Sequence, residues 1–278
     1  MIKIVRTVLV FLFCLALLGA AGLYYYNYTH EDLQAPVFHS DTELLEVSVT
    51  DPEEALLEGL TASDDFDGDV TPQIRVKNIS QLINDTDVTV SYIVFDQASN
   101  YATYSRTVRY RDYVSPRWEL TQPMIFGVNQ TVRFDGSVLV TDQLDGDISG
   151  RLKLEQSTVI NTVPGSYSVI LSASNRMGDT IYLPLTVQIV DNSLSRPEIV
   201  LKKYLVYLDR GARPNYRRYL STVTDPMDPN QDRVIPFSAV SVNHAGVDTS
   251  TPGTYEVYFY YTGISGEIAT VILTVIVE

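Results

Sequence analysis

The chain has 278 residues, and its 34 acidic against 20 basic side chains give a formal net charge of −14. An acidic excess of this size repels polyphosphates and argues against general nucleic-acid binding. The single cysteine, Cys14, rules out an intramolecular disulfide and a cysteine metal cluster, so the folded part depends on noncovalent packing.

Residues 7–26 carry no charge, and about 20 helical residues match the hydrocarbon thickness of a bilayer. Lys3 and Arg6 precede this run, and Glu31 and Asp32 follow it. The positive-inside rule therefore places residues 1–6 in the cytoplasm and everything after the span outside. Tyr24, Tyr25 and Tyr26 suit the membrane interface, and residues 27–34 form a juxtamembrane linker. A cleaved signal peptide is the competing reading, because Gly19, Ala20 and Ala21 offer small residues near a cut, and cleavage would release a secreted form. The length of the apolar run and the tyrosine triplet favour an uncleaved single-pass anchor.

Beyond the linker one acidic loop recurs about every 80 residues, the mark of an internal repeat. It reads Asp64-Asp-Phe-Asp67-Gly68-Asp69-Val70, then Asp142-Gln-Leu-Asp145-Gly146-Asp147-Ile148. The third copy is the eroded Asp225-Pro-Met-Asp228-Pro229-Asn230. The copies span residues 35–112, 116–191 and 196–278, joined by short proline-containing segments that predict end-to-end stacking with limited swing. Trp118 opens the second copy and is expected to fill its joint with the first. Within each copy, short runs rich in Val, Ile, Thr and Tyr alternate in polarity between turn residues, which predicts antiparallel strands and almost no helix. The closing hairpins are clearest: 88–95 with 101–110, 164–171 with 181–190, and 252–260 with 267–277. Strands of this length close a small core by stacking two sheets, so the fold class is all-β, with about seven strands per copy.

The order Asp-x-x-Asp-Gly-Asp-(Val/Ile), then Val247-Asp248-Thr249-Ser-Thr-Pro252-Gly253-Thr254-Tyr255 and a final hairpin resembles the bacterial surface immunoglobulin-like domains, relatives in shape of hyalin-repeat and cadherin-like modules. The second copy carries the same motif as Ile160-Asn161-Thr162-Val163-Pro164-Gly165-Ser166-Tyr167. The first departs from it, with Asn84-Asp-Thr-Asp-Val88 in place of Pro-Gly. The resemblance implies three tandem immunoglobulin-like β-sandwiches behind one N-terminal transmembrane helix, on a bacterial cell surface. Such domains serve as spacers and as binding modules, so the fold does not name a ligand.

Two groups of residues are candidates for binding. Asp64, Asp67 and Asp69 with Asp96, and Asp142, Asp145 and Asp147, supply hard oxygen ligands around a glycine, the chemistry calcium prefers, although neither loop has the EF-hand glutamate. The same aspartates are also turn formers that bond backbone amides. The second group is a basic, tyrosine-rich stretch comprising Lys202, Lys203, Arg213, Tyr216, Arg217, Arg218 and Tyr219, which would hold an anionic envelope polymer or glycan if exposed on one face. Buried instead, these tyrosines are sheet packing.

His30, His39 and His244 are isolated, and no nucleophile accompanies them, so no enzymatic activity and no obligatory cofactor is expected. The Asn-x-Ser/Thr triplets at Asn27, Asn78, Asn84 and Asn129 bear on glycosylation only in a eukaryotic secretory route. The reading is a non-enzymatic membrane-anchored rod, acting as spacer or scaffold and presenting its third copy to a surface protein or glycan. An adhesive glycan-binding ectodomain and a calcium-stiffened rod are the alternatives.

Overall fold

The computed structural model describes the chain except Met1, His30, residues 192–194 and residues 231–233; for Ile2, Lys3, Val5, Asn27 and Thr29 only the backbone is described. The isolated His30, the side chains of Lys3 and Asn27 and most of the second joint therefore lie outside the described residues. The fold is mostly β, with several sheets and one N-terminal apolar helix. Two compact units divide the chain, Met1–Asp112 and Tyr113–Glu278.

The first unit begins with helix α1 (Ile2–Thr29). Its stretch Arg6–Tyr26 has a mean hydropathy of 2.3 and is long and apolar enough to cross a membrane. Its described side chains are exposed. Seven strands follow: β1 (Val37–Ser40), β2 (Leu44–Val47), β3 (Leu60–Asp64), β4 (Gly68–Asp69), β5 (Arg75–Ile79), β6 (Asp87–Phe95) and β7 (Tyr101–Tyr110). One sheet has the order β1-β3-β4 and the other β2-β7-β6-β5. β1 pairs antiparallel with β3, whereas β2, only a few residues later, pairs parallel with the last strand β7, so the chain changes sheets near its start.

The alternation of β6 explains its placement. Val88, Val90, Tyr92 and Val94 are buried, while Thr89, Ser91 and Ile93 between them are half-buried. Arg106 of β7 is also buried, and its cation is held by neutral oxygens. Nη2 donates to the carbonyls of Leu56 (3.0 Å) and Glu58 (2.6 Å), and Nε donates to Tyr92 Oη (3.2 Å), whose own hydroxyl donates to the Leu56 carbonyl (2.7 Å). These bonds fasten the 3-10 turn Glu53–Leu57 to the four-stranded sheet.

The second unit repeats this wiring twice. Its strands are β8 (Arg117–Leu120), β9 (Ile125–Gly127), β10 (Val138–Asp142), β11 (Gly146–Asp147), β12 (Lys153–Ser157), β13 (Gly165–Ser174) and β14 (Thr180–Val190). The third copy supplies β15 (Glu198–Leu201), β16 (Leu205–Leu208), β17 (Leu220–Thr224), β18 (Ser241–Asn243), β19 (Gly253–Thr262) and β20 (Ile268–Val277). β8 and β15 take the antiparallel place of β1, and β9 and β16 take the parallel place of β2. The hairpins β13–β14 and β19–β20 stand where β6–β7 stands. Among the described residues the third copy has no counterpart of the short β4 and β11, in keeping with its eroded acidic loop.

The end-to-end stacking expected from the short joints does not hold for the second and third copies. Arg117 at the start of one and Glu278 at the end of the other are bonded, Nη2 to Oε2, at 2.8 Å. Stacked copies with ten-residue strands would hold those positions roughly 70 Å apart. The two copies instead lie side by side around one continuous cluster of buried hydrophobics. Trp118, expected against the first copy, belongs to this cluster, and its amide donates to Tyr207 Oη (2.7 Å) while the Arg117 guanidinium covers the Tyr207 ring at 4.5 Å. Further along, Glu256 of β19 accepts from the amide and hydroxyl of Thr186 on β14, both at 3.0 Å. It also accepts from Tyr258 Oη (2.6 Å); burial and this bond push the Tyr258 phenol up to about 12.

Two measurements check these features. Spin labels at the exposed positions Glu119 and Lys203, in a Cys14→Ser background, should report a short distance, below roughly 25 Å, where stacked copies would hold these near-equivalent positions about one copy length, roughly 35–45 Å, apart. The second concerns Asp87, which accepts both arms of the Arg109 fork (2.8 and 2.9 Å) and Asn84 Nδ2 (2.9 Å). Arg109 first, then Asn84, hold its carboxyl well below the usual carboxylate range. A depressed folded-state pKa stabilises above the unfolded value of about 3.9 and is lost as pH falls further. Asp87→Asn should therefore lower the Tm at pH 7, and the deficit should shrink as the pH drops below about 4.

Candidate functional site

The acidic loops are built by a buried aspartate at the end of a strand. In the first copy Asp64 ends β3, and its Oδ1 accepts from the amides of Phe66 and Asp67, both at 2.9 Å, an Asx turn that reverses the chain. Gly68 follows with φ +75°, a left-handed conformation that suits glycine, and Val70 re-enters the core. Asp69 closes the loop by accepting from the Thr71 amide (3.0 Å), and Asp67 accepts from the Gln97 amide (2.6 Å) in the β6–β7 turn. Thus Asp67 and Asp69 serve the turn, whereas the second oxygen of Asp64 is free of it.

Asp64 also belongs to a different group. Carboxylate oxygens of Asp32, Asp64 and Asp96 all lie within 4.8 Å of one another. Asp64 and Asp96 are each 8% exposed, and Asp32 is half-buried. Asp64 Oδ2 and Asp32 Oδ2 are buried and have no hydrogen-bond partner. Asp96 is tied to its own turn, accepting from the Asn100 amide (2.7 Å) and side chain (2.9 Å), and Asn100 Nδ2 also donates to the Asp32 carbonyl (3.1 Å). Burial, followed by the charges of Asp64, Asp96 and Asp65, raises the Asp32 carboxyl above its ordinary value, against the Gln34 amide that lowers it. The sequence pattern pointed to Asp64 and Asp96. It missed Asp32, whose signal was its place four residues ahead of Pro36, the proline opening the first copy.

The corresponding positions of the other copies are chemically closed. Asp142 Oδ1 makes the same Asx turn to Leu144 and Asp145, but its Oδ2 accepts from Asn175 Nδ2 at 3.0 Å. Asn175 stands where Asp96 stands, and it also donates to Tyr113 Oη (2.7 Å), which donates onward to Asp179 (2.8 Å). Burial and the Asp179 acceptor push the Tyr113 phenol up. Burial opposes the charge on Asp145, yet the Arg151 guanidinium and the Arg176 amide outweigh it and hold that carboxyl low. Asp147 accepts from the amide (2.9 Å) and hydroxyl (2.6 Å) of Ser149. Asp142, Asp145 and Asp147 therefore do not converge on one point. In the third copy Asp225 Oδ2 accepts from the Ile264 amide (2.8 Å), and the position of Asp96 is taken by Gly263.

The basic stretch divides into buried tyrosines and exposed cations. Tyr216 and Tyr219 are buried, Tyr216 against the His244 ring at 5.2 Å. Arg217 donates to the carbonyls of Phe237 (2.7 Å) and Val240 (2.5 Å). Arg218 lies over the Tyr219 ring at 4.8 Å and donates to its hydroxyl (2.7 Å). Lys202 Nζ donates to the Arg218 carbonyl (3.1 Å), and Lys202, Lys203, Arg213, Arg217 and Arg218 are all exposed. His39 lies 3.4 Å from Ser63 Oγ across β1 and β3, an exposed cross-strand contact.

No family model matches the chain. The pesticidal crystal protein Cry22Aa of Bacillus thuringiensis is 24% identical over 233 residues, 78% of this chain, which spans only 29% of that protein. Solved structures with low overall likeness include the CBM51-2 and INT domains of Clostridium perfringens ZmpB (15% identity, 53% of this chain and 26% of that one, TM-score 0.23). The lipoprotein BT2262 of Bacteroides thetaiotaomicron matches at 13% identity over 86% of this chain and 98% of its own, with a TM-score of 0.21. The protocadherin GammaB4 extracellular domain matches at 14% identity over 87% and 49%, with a TM-score of 0.20.

The closed copies make a direct prediction. A Cβ at Gly263 would fall 2.7 Å from both Asp225 Oδ2 and Pro197 Cγ. Gly263→Ala should cost about 1–3 kcal/mol in equilibrium unfolding, as overpacking against a buried carboxylate does. Asn175→Ala should cost a similar ~1–3 kcal/mol by stranding Asp142 Oδ2 without a donor.

Proposed function

We propose that this chain is a non-enzymatic, membrane-anchored cell-surface protein, in which one uncleaved N-terminal helix carries three immunoglobulin-like β-sandwiches that act as spacer and scaffold. The observation that carries this reading is the combination of an exposed helix long enough to cross a bilayer with one strand wiring used three times. In this reading residues 1–6 are cytoplasmic and the sandwiches lie outside, on a bacterial envelope. The second and third copies act as one joined head offered to a surface protein or glycan, in place of a three-copy rod.

The fate of the basic stretch favours a scaffold over a dedicated glycan-binding face. A sugar platform needs tyrosine rings in the open and arginine forks free to engage anionic groups. Here both tyrosines are buried, and Arg217 and Arg218 are bonded within the fold.

Fractionation of cells expressing the full chain tests the reading. The protein should stay in the membrane after carbonate extraction, keep residues 1–26 by mass, and lose its sandwiches to protease added outside intact cells. A soluble external species beginning just after Ala21 would instead establish a cleaved signal and a secreted protein.

A further inference from the structure

We propose that Asp32, Asp64 and Asp96 form a calcium site that clamps the segment leaving α1 onto the end of the first copy. The inference needs only the geometry of the first unit and does not rest on the surface-scaffold reading.

Its starting point is an unanswered charge. Three carboxylates converge to within 4.8 Å, two of them 8% exposed, and among the described residues no lysine or arginine pairs with any of the three. Turn chemistry does not account for the arrangement. Asp64 has already spent Oδ1 on its Asx turn, and its Oδ2 is buried without a donor, as is the Oδ2 of Asp32. Buried polar atoms are nearly always partnered, and a buried charge needs a counter-charge.

The chain itself provides the comparison. At the same place the second copy supplies Asn175 as donor and the third supplies the Ile264 amide, so each closes its aspartate internally. Among the described residues only the first copy puts a second and a third carboxylate there, which removes donors and adds negative charge. A shared proton would answer one of three charges; a divalent cation answers two and accepts all the oxygens at once.

The dimensions favour calcium among divalent ions. Calcium binds carboxylate oxygens at about 2.3–2.6 Å, so oxygens sharing one ion lie no more than about 5 Å apart, and its geometry tolerates ligands from separate loops. Magnesium demands a tighter octahedron and keeps most of its water. Asp32 is the third residue after the end of α1 at Thr29, while Asp64 and Asp96 come from two loops of the folded copy. An ion held by all three would therefore join a segment with few other ties to the sheet edges. Among the described residues, Gln34, which donates to Asp65 (2.9 Å), and Asn100, which donates to the Asp32 carbonyl, are the hydrogen-bond ties of that segment to the folded copy.

Calorimetry of the full chain in detergent micelles, stripped with chelator and titrated with calcium chloride, tests the site. One ion should bind per chain, raise the Tm of the first unit by several degrees and slow chymotryptic cutting at Tyr28 and Leu33 at least several-fold. Asp64→Asn and, as a variant outside the strands, Asp32→Asn should abolish all three effects, and Asp147→Asn in the second copy should leave them intact. The proposal is overturned if calcium produces no heat and no shift, if magnesium acts where calcium does not, or if Asp32→Asn keeps the full response. Membrane retention in carbonate is read separately and is expected with or without calcium.

Discussion

Each copy of this fold depends on one buried aspartate whose two oxygens have different duties. Oδ1 of Asp64, Asp142 or Asp225 bonds the amide two residues ahead and sets the reversal after the third strand. That bond draws the side chain below the surface, so Oδ2 becomes a buried acceptor facing the turn of the closing hairpin. An unpartnered acceptor there costs on the order of 1–3 kcal/mol, more when it is charged, so something on that turn must meet it. The hairpin contributes the longest strands of each copy and a large share of its buried residues, so its turn comes to a fixed place. The two constraints together bring a carboxylate and a turn residue into contact three times in one chain.

Three solutions follow from three turn residues. Asn175 donates from its side chain and passes the bond to Tyr113 and Asp179, a network in which every buried polar atom finds a partner. Gly263 adds no side chain and lets Asp225 reach the next amide, and the short distances around a hypothetical Cβ show that this space is already used. Asp96 can donate nothing when ionised, so the first copy leaves its problem to an external partner. The segment ahead of each copy takes part in every described case, through Asp32, Tyr113 or Pro197. The junction is therefore where a copy meets the chain that precedes it, and its chemistry sets how firmly that segment is held.

Much of this was legible in the residues. The Asp-Gly-Asp-(Val/Ile) recurrence located the loops because each position has a local cause: an Asx turn, a positive φ at Gly68 or Gly146, and a buried Val70 or Ile148. Alternating β-branched residues located the hairpins for the same reason, since period-two burial is a local property of a pleated strand. The helix was legible from length and charge alone. Asp32 was not, because a lone acid beside a membrane segment already has a sufficient explanation in charge asymmetry, and nothing local says that it folds back 32 residues onto Asp64. The side-by-side packing of the second and third copies was equally hidden. It rests on long-range pairs such as Arg117 with Glu278 and Trp118 with Tyr207, whose members read singly as surface charges and sheet aromatics.

The two units consequently differ in what their stability depends on. In the second, a continuous core and internal hydrogen bonds meet the needs of the buried carboxylates, and guanidinium groups such as Arg151 and Arg176 cover Asp145. In the first, Arg109 meets Asp87 and neutral oxygens meet Arg106, yet among the described residues the end nearest α1 holds three carboxylates with no lysine or arginine paired to them. Net charge sharpens the contrast, because a chain at −14 has no surplus of lysine or arginine to send there. Leaving that compensation to a dissolved ion places the dependence at the point where the folded copy meets its tether. The hold on the tether then varies with the surrounding solution while the sheets themselves do not, because none of their hydrogen-bonded ladders passes through Asp32.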